Sequence, residues 1–364
     1  MNQPISRDKS IDWLKGLAIF LVVMGHELQW CTFHLEPSQL LANGNTGLVQ
    51  QWISSFHMPL LFFLSGFLIG WKKQTEEPTW SALGRNILRK MQTILLPGVT
   101  WMLVKHFIMG GWYIEWFLKV LFVIFVLFSC VRFISQRLHW HFVIEAVVHF
   151  VLFGILMVFA HTMKGTPLYE HLCLRSIGGY YPYLVLGCFF AARGWNKLWL
   201  EKDWVYSISL MVFVVSYGLY YWKWFDASWA VYIMPYIIAL SAILTLYVLG
   251  VRIVKMTPSS GMFSIINNSL CYMGKHSLAI YVIHFYFLLG IPQVADFWVY
   301  LTEYAVTSIP AIGVQLVYGI LAAIIVCGIC LGLEFILSQS KILNLLCFGK
   351  NMKNEYCLKQ IWKR

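Results

Sequence analysis

The chain is dominated by continuous apolar runs, each of the roughly 20 residues that a helix needs to cross a bilayer. These runs recur along its whole length. Because lipid offers the backbone no hydrogen bonds, a spanning segment must be a helix or a strand of a closed barrel. Barrel strands alternate apolar and polar residues, whereas these runs are apolar throughout. The sequence therefore predicts an all-α, polytopic membrane protein.

Composition supports the same fold class. Hydrophobic residues make up 59% of the chain and charged residues 12%, whereas a soluble domain carries about 25% charged residues. We predict a bundle of about ten transmembrane helices. Their approximate bounds are residues 12–32, 52–71, 93–110, 112–131, 141–161, 176–193, 204–223, 228–251, 270–290 and 311–337.

The basic residues predict the orientation, because short cytoplasmic loops carry an excess of Lys and Arg. With the N-terminus inside, most of the 27 basic residues fall in inner segments. We therefore expect both termini to be cytoplasmic, a membrane-embedded domain over residues 1–337 and a basic cytoplasmic tail over residues 338–364. The net charge of +11 is spread over the inner loops, which favours contact with membrane lipids over binding of nucleic acid.

Polar residues inside the first span need an explanation, since ionisable side chains in a membrane are costly and often functional. Asp12, Lys15 and His26 share one helical face. Asp12 and His26 are separated by about 21 Å of helix, so they belong to different ends of one path. From its position alone, His26 is as consistent with an interfacial histidine bonded to a neighbouring helix as with a catalytic residue.

The second span carries His57 and Ser65 on one face. Gly66 follows directly and permits the close approach of another helix. A packing role is the simplest interpretation of the Ser65-Gly66 pair. A covalent acyl intermediate on Ser65 is the catalytic alternative, although no base stands at a fixed spacing from it.

The ninth predicted span carries a third polar stripe, formed by Ser277, Tyr281 and His284. A stripe facing lipid would be costly, so we expect it to face the protein interior. His26, His57 and His284 fall at similar predicted depths. Neutral imidazole is a good general base near neutral pH, which suits deprotonation of a hydroxyl. No carboxylate or cysteine accompanies the histidines at ligand spacing, so no metal is expected.

At these segments the sequence resembles the acyltransferase-3 family of bacterial membrane O-acyltransferases, especially its fucose 4-O-acetylase-like branch. The family's opening pattern of Arg, Asp, Leu-Arg/Lys-Gly and His matches Arg7, Asp12, Leu14-Lys15-Gly16 and His26. Three later elements match in the same order: Phe56-His57-Met58-Pro59 through Phe62-Phe63-Leu64-Ser65-Gly66, then Trp116-Phe117-Leu118, and finally Ser277, Ile280-Tyr281 and His284.

The resemblance implies a ten-helix bundle in the bacterial cytoplasmic membrane. It implies transfer of an acyl group, most simply acetyl, from cytoplasmic acyl-CoA to a hydroxyl of a carbohydrate or glycolipid. The family treats the histidine matching His26 as essential, so His26 is the expected general base. His57, His284 and Tyr281 would then orient the base or stabilise the oxyanion. Arg7, Asp12 and Lys15 would lie on the acyl-CoA side.

Coenzyme A carries phosphates, and the inner loop before Pro97 holds Arg85, Arg89 and Lys90. Arginine binds phosphate bidentately and lysine acts as a point charge, so these residues are the expected phosphate contacts. Topology-setting charges are the alternative interpretation. The sequence departs from the family here, since relatives tend to have a second basic residue at the position of Gln92 and a tyrosine at that of Gly98.

Three further residues are expected on the acceptor side, namely Glu27, Glu115 and Arg175. Glu115 and Lys119 are spaced i, i+4, which predicts an ion pair that neutralises both. Arg175 is a candidate contact for an acceptor or a lipid headgroup. Two other functions stay open: a polytopic exporter of a polysaccharide or lipid-linked sugar, and a structural component of a surface-polysaccharide assembly.

Overall fold

The fold is seen in a computed structural model that describes residues 8–31, 47–71, 78–110, 115–194, 202–221, 228–258, 260–302 and 309–350. Within these ranges the chain is helical and contains no strand, which confirms the all-α prediction. Among the described residues, six helical segments are long and apolar enough to cross a membrane: Leu48–Trp71, Trp116–Arg137, Phe142–Thr162, Asp203–Tyr221, Ala230–Met256 and Ile309–Leu337. The count of ten spans and the cytoplasmic termini stay predictions.

The first part of the chain forms helices α1 to α9, with one π-helical turn between α4 and α5. The bounds are α1 Lys9–Trp30, α2 Leu48–Ser54, α3 His57–Trp71, α4 Trp80–Lys90, the π-helix Met91–Leu95, α5 Leu96–Met109, α6 Trp116–Arg137, α7 Phe142–Thr162, α8 Pro167–Leu172 and α9 Leu174–Ala192.

The second part forms helices α10 to α16, with a 3₁₀ turn after α13. The bounds are α10 Asp203–Tyr221, α11 Ser228–Met256, α12 Met262–Lys275, α13 Ser277–Ile283, the 3₁₀ turn His284–Tyr286, α14 Pro292–Thr302, α15 Ile309–Leu337 and α16 Lys341–Phe348. These elements and the earlier ones form two compact units. The first unit comprises Met1–Leu64 with Gly194–Gly332, and the second comprises Ser65–Arg193 with Leu333–Arg364.

Helix α1 packs against α12 in the first unit, at backbone-to-backbone distance. A Cβ on Gly16 would overlap the carbonyl oxygen of Leu270, and a Cβ on Gly274 would overlap that of Asp12. Helices in lipid approach this closely where small residues meet, because packing replaces the hydrophobic driving force. The Trp13 indole also donates a hydrogen bond to Asn267 Oδ1 at 2.9 Å. These contacts fix α1, and with it His26, against the segment that leads to His284.

Glycines also mediate close packing within the second unit. A Cβ on Gly66 would overlap the carbonyl oxygen of Leu184, and Gly70 is equally close to the backbone of Cys188. The prediction that Gly66 permits the close approach of another helix is therefore confirmed, with α9 as that helix. Ser65, the preceding residue, lies at the start of this interface.

A buried polar network joins α6, α7 and α9 in the second unit. The Glu145 carboxylate, 5% exposed, accepts a hydrogen bond from Arg132 at 2.7 Å and one from Ser135 at 2.9 Å. One turn along α7, His149 Nδ1 lies 2.6 Å from the Tyr181 hydroxyl. Carboxylates survive burial when charged and neutral donors satisfy them, and here α6 supplies both donors.

The predicted ninth span, residues 270–290, differs from the structure. The chain there consists of the end of α12, the short helix α13 and the 3₁₀ turn at His284. The break falls at His276, whose backbone (φ −108°, ψ 14°) leaves the helical region. Its N–H still bonds back to the carbonyls of Tyr272 and Met273. Hydropathy averaged over a span does not register a break of this kind, because the few polar residues at the break, Lys275, His276 and Ser277, are outweighed by the apolar residues that follow.

The segment predicted as a basic tail begins with a packed helix. Helix α16 lies against α5, where the Trp101 indole donates to the carbonyl of Cys347 at 3.0 Å. Just beyond the helix, Lys350 pairs with the buried Glu334 at 2.8 Å. Residues 338–350 are thus integrated into the second unit, and the basic residues beyond position 350 lie outside the described part of the chain.

Candidate active site

Three aromatic rings meet near the C-terminal end of α1, in the first unit. The His26 ring lies 5.3 Å from the His284 ring and 4.6 Å from the Phe285 ring, centroid to centroid. The rings of His284 and Phe285 are 4.3 Å apart. His26 is partly accessible, whereas His284 is completely buried. Of the two histidines, only His26 therefore has exposed surface.

The backbone fixes the tautomer of His284. Its Nδ1 lies 2.7 Å from the carbonyl oxygen of Tyr281 and 3.1 Å from that of Ile280. Since a carbonyl only accepts, Nδ1 carries the proton in the neutral ring, and Nε2 holds the lone pair. The 3₁₀ turn that begins at His284 gives the ring this orientation.

His57 is held in the same way at the start of α3. Its Nδ1 donates to the carbonyl oxygen of Ile53 at 2.7 Å. Ile53 itself contacts α1 beside His26, since a Cβ on Gly25 would lie 3.5 Å from its Cγ2. His57 is within electrostatic range of His26. Neutral His57 and His284 thus present basic Nε2 atoms, which suit orienting or relaying a proton better than donating to an oxyanion.

Tyr281 and Ser65 have different relations to this cluster. Tyr281 is buried, with its ring 5.9 Å from that of His284. Ser65 lies on α3 about 12 Å beyond His57, counted at 1.5 Å per residue. A hydroxyl at that separation is beyond hydrogen-bonding reach of the His57 imidazole.

The carboxylate of Glu27, the residue that follows His26, is hydrogen-bonded to groups of the protein itself. It is completely buried and accepts hydrogen bonds from the N–H of Leu289, at 3.0 and 3.3 Å to its two oxygens. The hydroxyl of Tyr318 on α15 donates to it at 3.2 Å. Tyr318 in turn accepts from the N–H of Ile291 at 3.4 Å. The predicted acceptor-side role of Glu27 is not tested by these contacts and stays a prediction.

The residues predicted on the donor side are only partly brought together. Asp12 is buried at the start of α1 against α12, and Lys15 lies one turn further along the same helix. Arg7 lies outside the described residues.

The other predicted donor-side residues belong to α4, in the second unit. Arg85 and Arg89 are exposed there, one turn apart. Their neighbour Lys90 is instead turned toward the protein, with its Nζ 4.8 Å from the centre of the Phe125 ring.

The predicted ion pair between Glu115 and Lys119 is wrong. Glu115 pairs with Lys105 of α5 at 3.3 Å, and Lys119 donates to the backbone carbonyl of His171. The reason is local, since α6 begins at Trp116 and Glu115 is its N-cap residue, with φ −52° and ψ 119°. A side chain outside the helix does not lie along its surface, so the i, i+4 rule fails.

Arg175 is exposed in the first turn of α9. The helix starts after Cys173, whose backbone is left-handed (φ 54°). An acceptor or headgroup contact by Arg175 stays a prediction.

Sequence reasoning missed three side chains of the His26 environment. Nothing in the sequence distinguishes Phe285 from the many other aromatic residues. Tyr318 is likewise an isolated hydroxyl in an apolar helix. Gln29 hydrogen-bonds to His26 from one turn along α1. Only Gln29 carried a usable signal, because helical spacing places residues i and i+3 side by side.

Comparison with known proteins identifies the family of this chain. A family model described as "Acyltransferase domain", that of the acyltransferase-3 family, matches residues 8–334 and so includes α1, His26 and most of α15. Neither a curated protein nor a solved structure matches the chain. In the described part of the chain, no group of three His, Cys, Asp or Glu side chains is arranged to hold a metal ion. Because the match covers most of its length, the chain belongs to the acyltransferase-3 family and is a multi-pass membrane acyltransferase.

Proposed function

We propose that this protein transfers an acyl group, most simply acetyl, from cytoplasmic acyl-CoA to a hydroxyl of a carbohydrate or glycolipid. His26 acts as the general base. The observation that carries the proposal is the environment of His26, a residue that is only partly buried and whose ring packs against those of His284 and Phe285. A base of this kind suits a hydroxyl acceptor, whose proton must leave as its oxygen attacks.

The reaction balances with the acceptor, the thioester and one imidazole. His26 takes the proton of the acceptor hydroxyl while its oxygen attacks the thioester carbonyl. The carbon–sulfur bond then breaks, and the leaving thiolate of coenzyme A takes the proton from the imidazolium. The products are an ester and free coenzyme A. General base catalysis of this kind contributes roughly 10²- to 10⁴-fold to the rate.

The neighbours of His26 support this role. His57 and His284 each have Nδ1 anchored on a backbone carbonyl, so their neutral rings help to orient His26 and the acceptor proton. Tyr281 packs beside His284.

Cations would hold the phosphates of coenzyme A on the inner side of the membrane. Arg85 and Arg89 form an exposed pair that suits this role. Arg7, Asp12 and Lys15 are also proposed on the acyl-CoA side, with Arg7 and Lys15 as the cations and Asp12 as a carboxylate that does not itself bind phosphate. Arg175 and Glu115 are the proposed acceptor-side residues. The proposal includes a location in a bacterial cytoplasmic membrane, with membrane lipids around the helices.

The test is acyl transfer by the purified protein in lipid nanodiscs, with labelled acetyl-CoA and a panel of glycans and lipid-linked sugars. His26→Ala should reduce transfer by roughly 10²-fold or more. His161→Ala serves as the matched control, because His161 is exposed at the end of α7. If neither acetyl-CoA nor a longer acyl-CoA binds to or reacts with the wild type, the proposal fails and an exporter becomes the better explanation.

A further inference from the structure

The segment that follows His284 is tied to α1 by the side chain next to the candidate base. We propose that the Glu27 carboxylate and the Tyr318 hydroxyl form a clamp that positions His284 and Phe285 against His26. Glu27 is then a positioning residue in place of the acceptor contact expected from the sequence. The idea rests on the proposed function of His26.

The clamp holds one segment at two points. Leu289 donates its N–H to both oxygens of Glu27, and Ile291 donates its N–H to the hydroxyl of Tyr318. The Tyr318 hydroxyl in turn donates a hydrogen bond to Glu27, so the two holding groups are also bonded to each other. Hydrogen bonds to an ionised acceptor are roughly twice as strong as neutral ones. The chain between His284 and α14 is therefore attached to both α1 and α15.

Burial makes this attachment costly to lose. Glu27 is completely buried, and a buried carboxylate without donors costs several kcal/mol, so its donors must stay in place. Close packing adds to the restraint, because Gly290 has a left-handed backbone (φ 50°) and a Cβ there would overlap the Trp30 side chain. Only glycine meets both demands at that position.

The geometry links the clamp to the candidate base. Glu27 follows His26 directly in α1, and Leu289 follows Phe285 by four residues. The His284 and Phe285 rings contact His26 at 5.3 and 4.6 Å. A short segment fixed at both ends has little freedom, so the two rings stay in place while the clamp holds. Misplacement of a reacting group by about 1 Å can cost 10²-fold in rate.

The test compares Glu27→Gln and Tyr318→Phe, singly and together, in nanodiscs. We expect kcat for acyl transfer to fall roughly 10- to 100-fold in Glu27→Gln, with the KM for acyl-CoA changed less than about twofold. Tyr318→Phe should show a smaller fall in the same parameter. Because both residues act through one clamp, their effects should not add. The kcat of the double variant should therefore be about the same as that of Glu27→Gln alone.

A second readout does not depend on acyl transfer. Diethyl pyrocarbonate modifies accessible neutral imidazoles, and mass spectrometry gives the rate at each histidine. Loosening the clamp should raise the rate at His26 severalfold relative to His161, which is exposed in the second unit. Glu170→Gln and Tyr300→Phe, two exposed positions, are the matched controls and should leave both readouts unchanged.

The outcomes separate the two proposals. An unchanged kcat and unchanged His26 reactivity in folded Glu27→Gln would overturn the clamp. A rise in KM with kcat unchanged would also overturn it and return Glu27 to substrate binding. If the wild type transfers no acyl group, the proposed function fails, and the reactivity of His26 alone decides whether the clamp exists. If Glu27→Gln does not fold, the same criteria apply to Tyr318→Phe.

Discussion

The ring of His284 lies 5.3 Å from the ring of His26, although the two residues are far apart in the sequence. His284 is buried and anchored through Nδ1, while His26 is partly accessible. This difference is the basis for proposing His26 as the reacting residue and His284 as its support.

A substitution at His284 should distinguish the roles of its two ring nitrogens. Asparagine can keep the hydrogen bond to the Tyr281 carbonyl with its amide N–H, but it has no atom at the position of Nε2. We expect His284→Asn to fold normally and to lose roughly 10²-fold in kcat, measured by acyl transfer. His161→Asn is the control. Full activity in His284→Asn would mean that Nε2 takes no part in the reaction.

The contact between α1 and α12 should not tolerate a methyl group. Gly16→Ala would place a Cβ against the Leu270 carbonyl oxygen, and overpacking of this kind costs about 1–3 kcal/mol. Gly218→Ala is the matched control, because a Cβ there meets nothing within 4 Å. Thermal unfolding in detergent should show a lower midpoint for Gly16→Ala alone. Equal midpoints would contradict the close packing.

The network at Glu145 should stabilise the second unit without taking part in catalysis. Glu145→Ala leaves Arg132 without its carboxylate. Breaking a buried pair costs about 3–5 kcal/mol, and the 29% exposure of the Arg132 side chain reduces this to roughly 2 kcal/mol.

A thiol-reactive dye measures this loss directly, since Cys188 and Cys347 are buried in the same unit. Glu145→Ala should label at a lower temperature than the wild type, and Glu170→Ala, at an exposed position, should not. Labelling at the wild-type temperature in Glu145→Ala would show that the network contributes nothing to stability.

The two faces of α4 should differ in their effect on acyl-CoA. Arg89 is exposed, whereas Lys90 packs over Phe125. Replacing a charged phosphate contact costs about 1.5–3 kcal/mol, so Arg89→Gln should raise the KM for acetyl-CoA roughly tenfold or more. Lys90→Gln should change it little. A wild-type KM for acetyl-CoA in both variants would assign both residues to topology alone.

Local patterns predicted much of this protein. The apolar runs indicated membrane helices, because their length and continuity are properties of each segment. Gly66 was predicted to bring two helices together because a residue without a side chain allows close approach whichever helix is the partner. His26 and His57 stood out because polar residues in such runs are rare and costly.

The sequence by itself thus determined the helical class and the membrane environment, and it singled out three histidines as candidates. Only the tertiary structure decided which side chains surround them. The partners of Glu27 are Leu289 and Tyr318, which lie far along the chain, and Glu115 pairs with Lys105 instead of Lys119. Helical periodicity relates residues within one helix, whereas these contacts depend on which helices pack side by side and where each one begins.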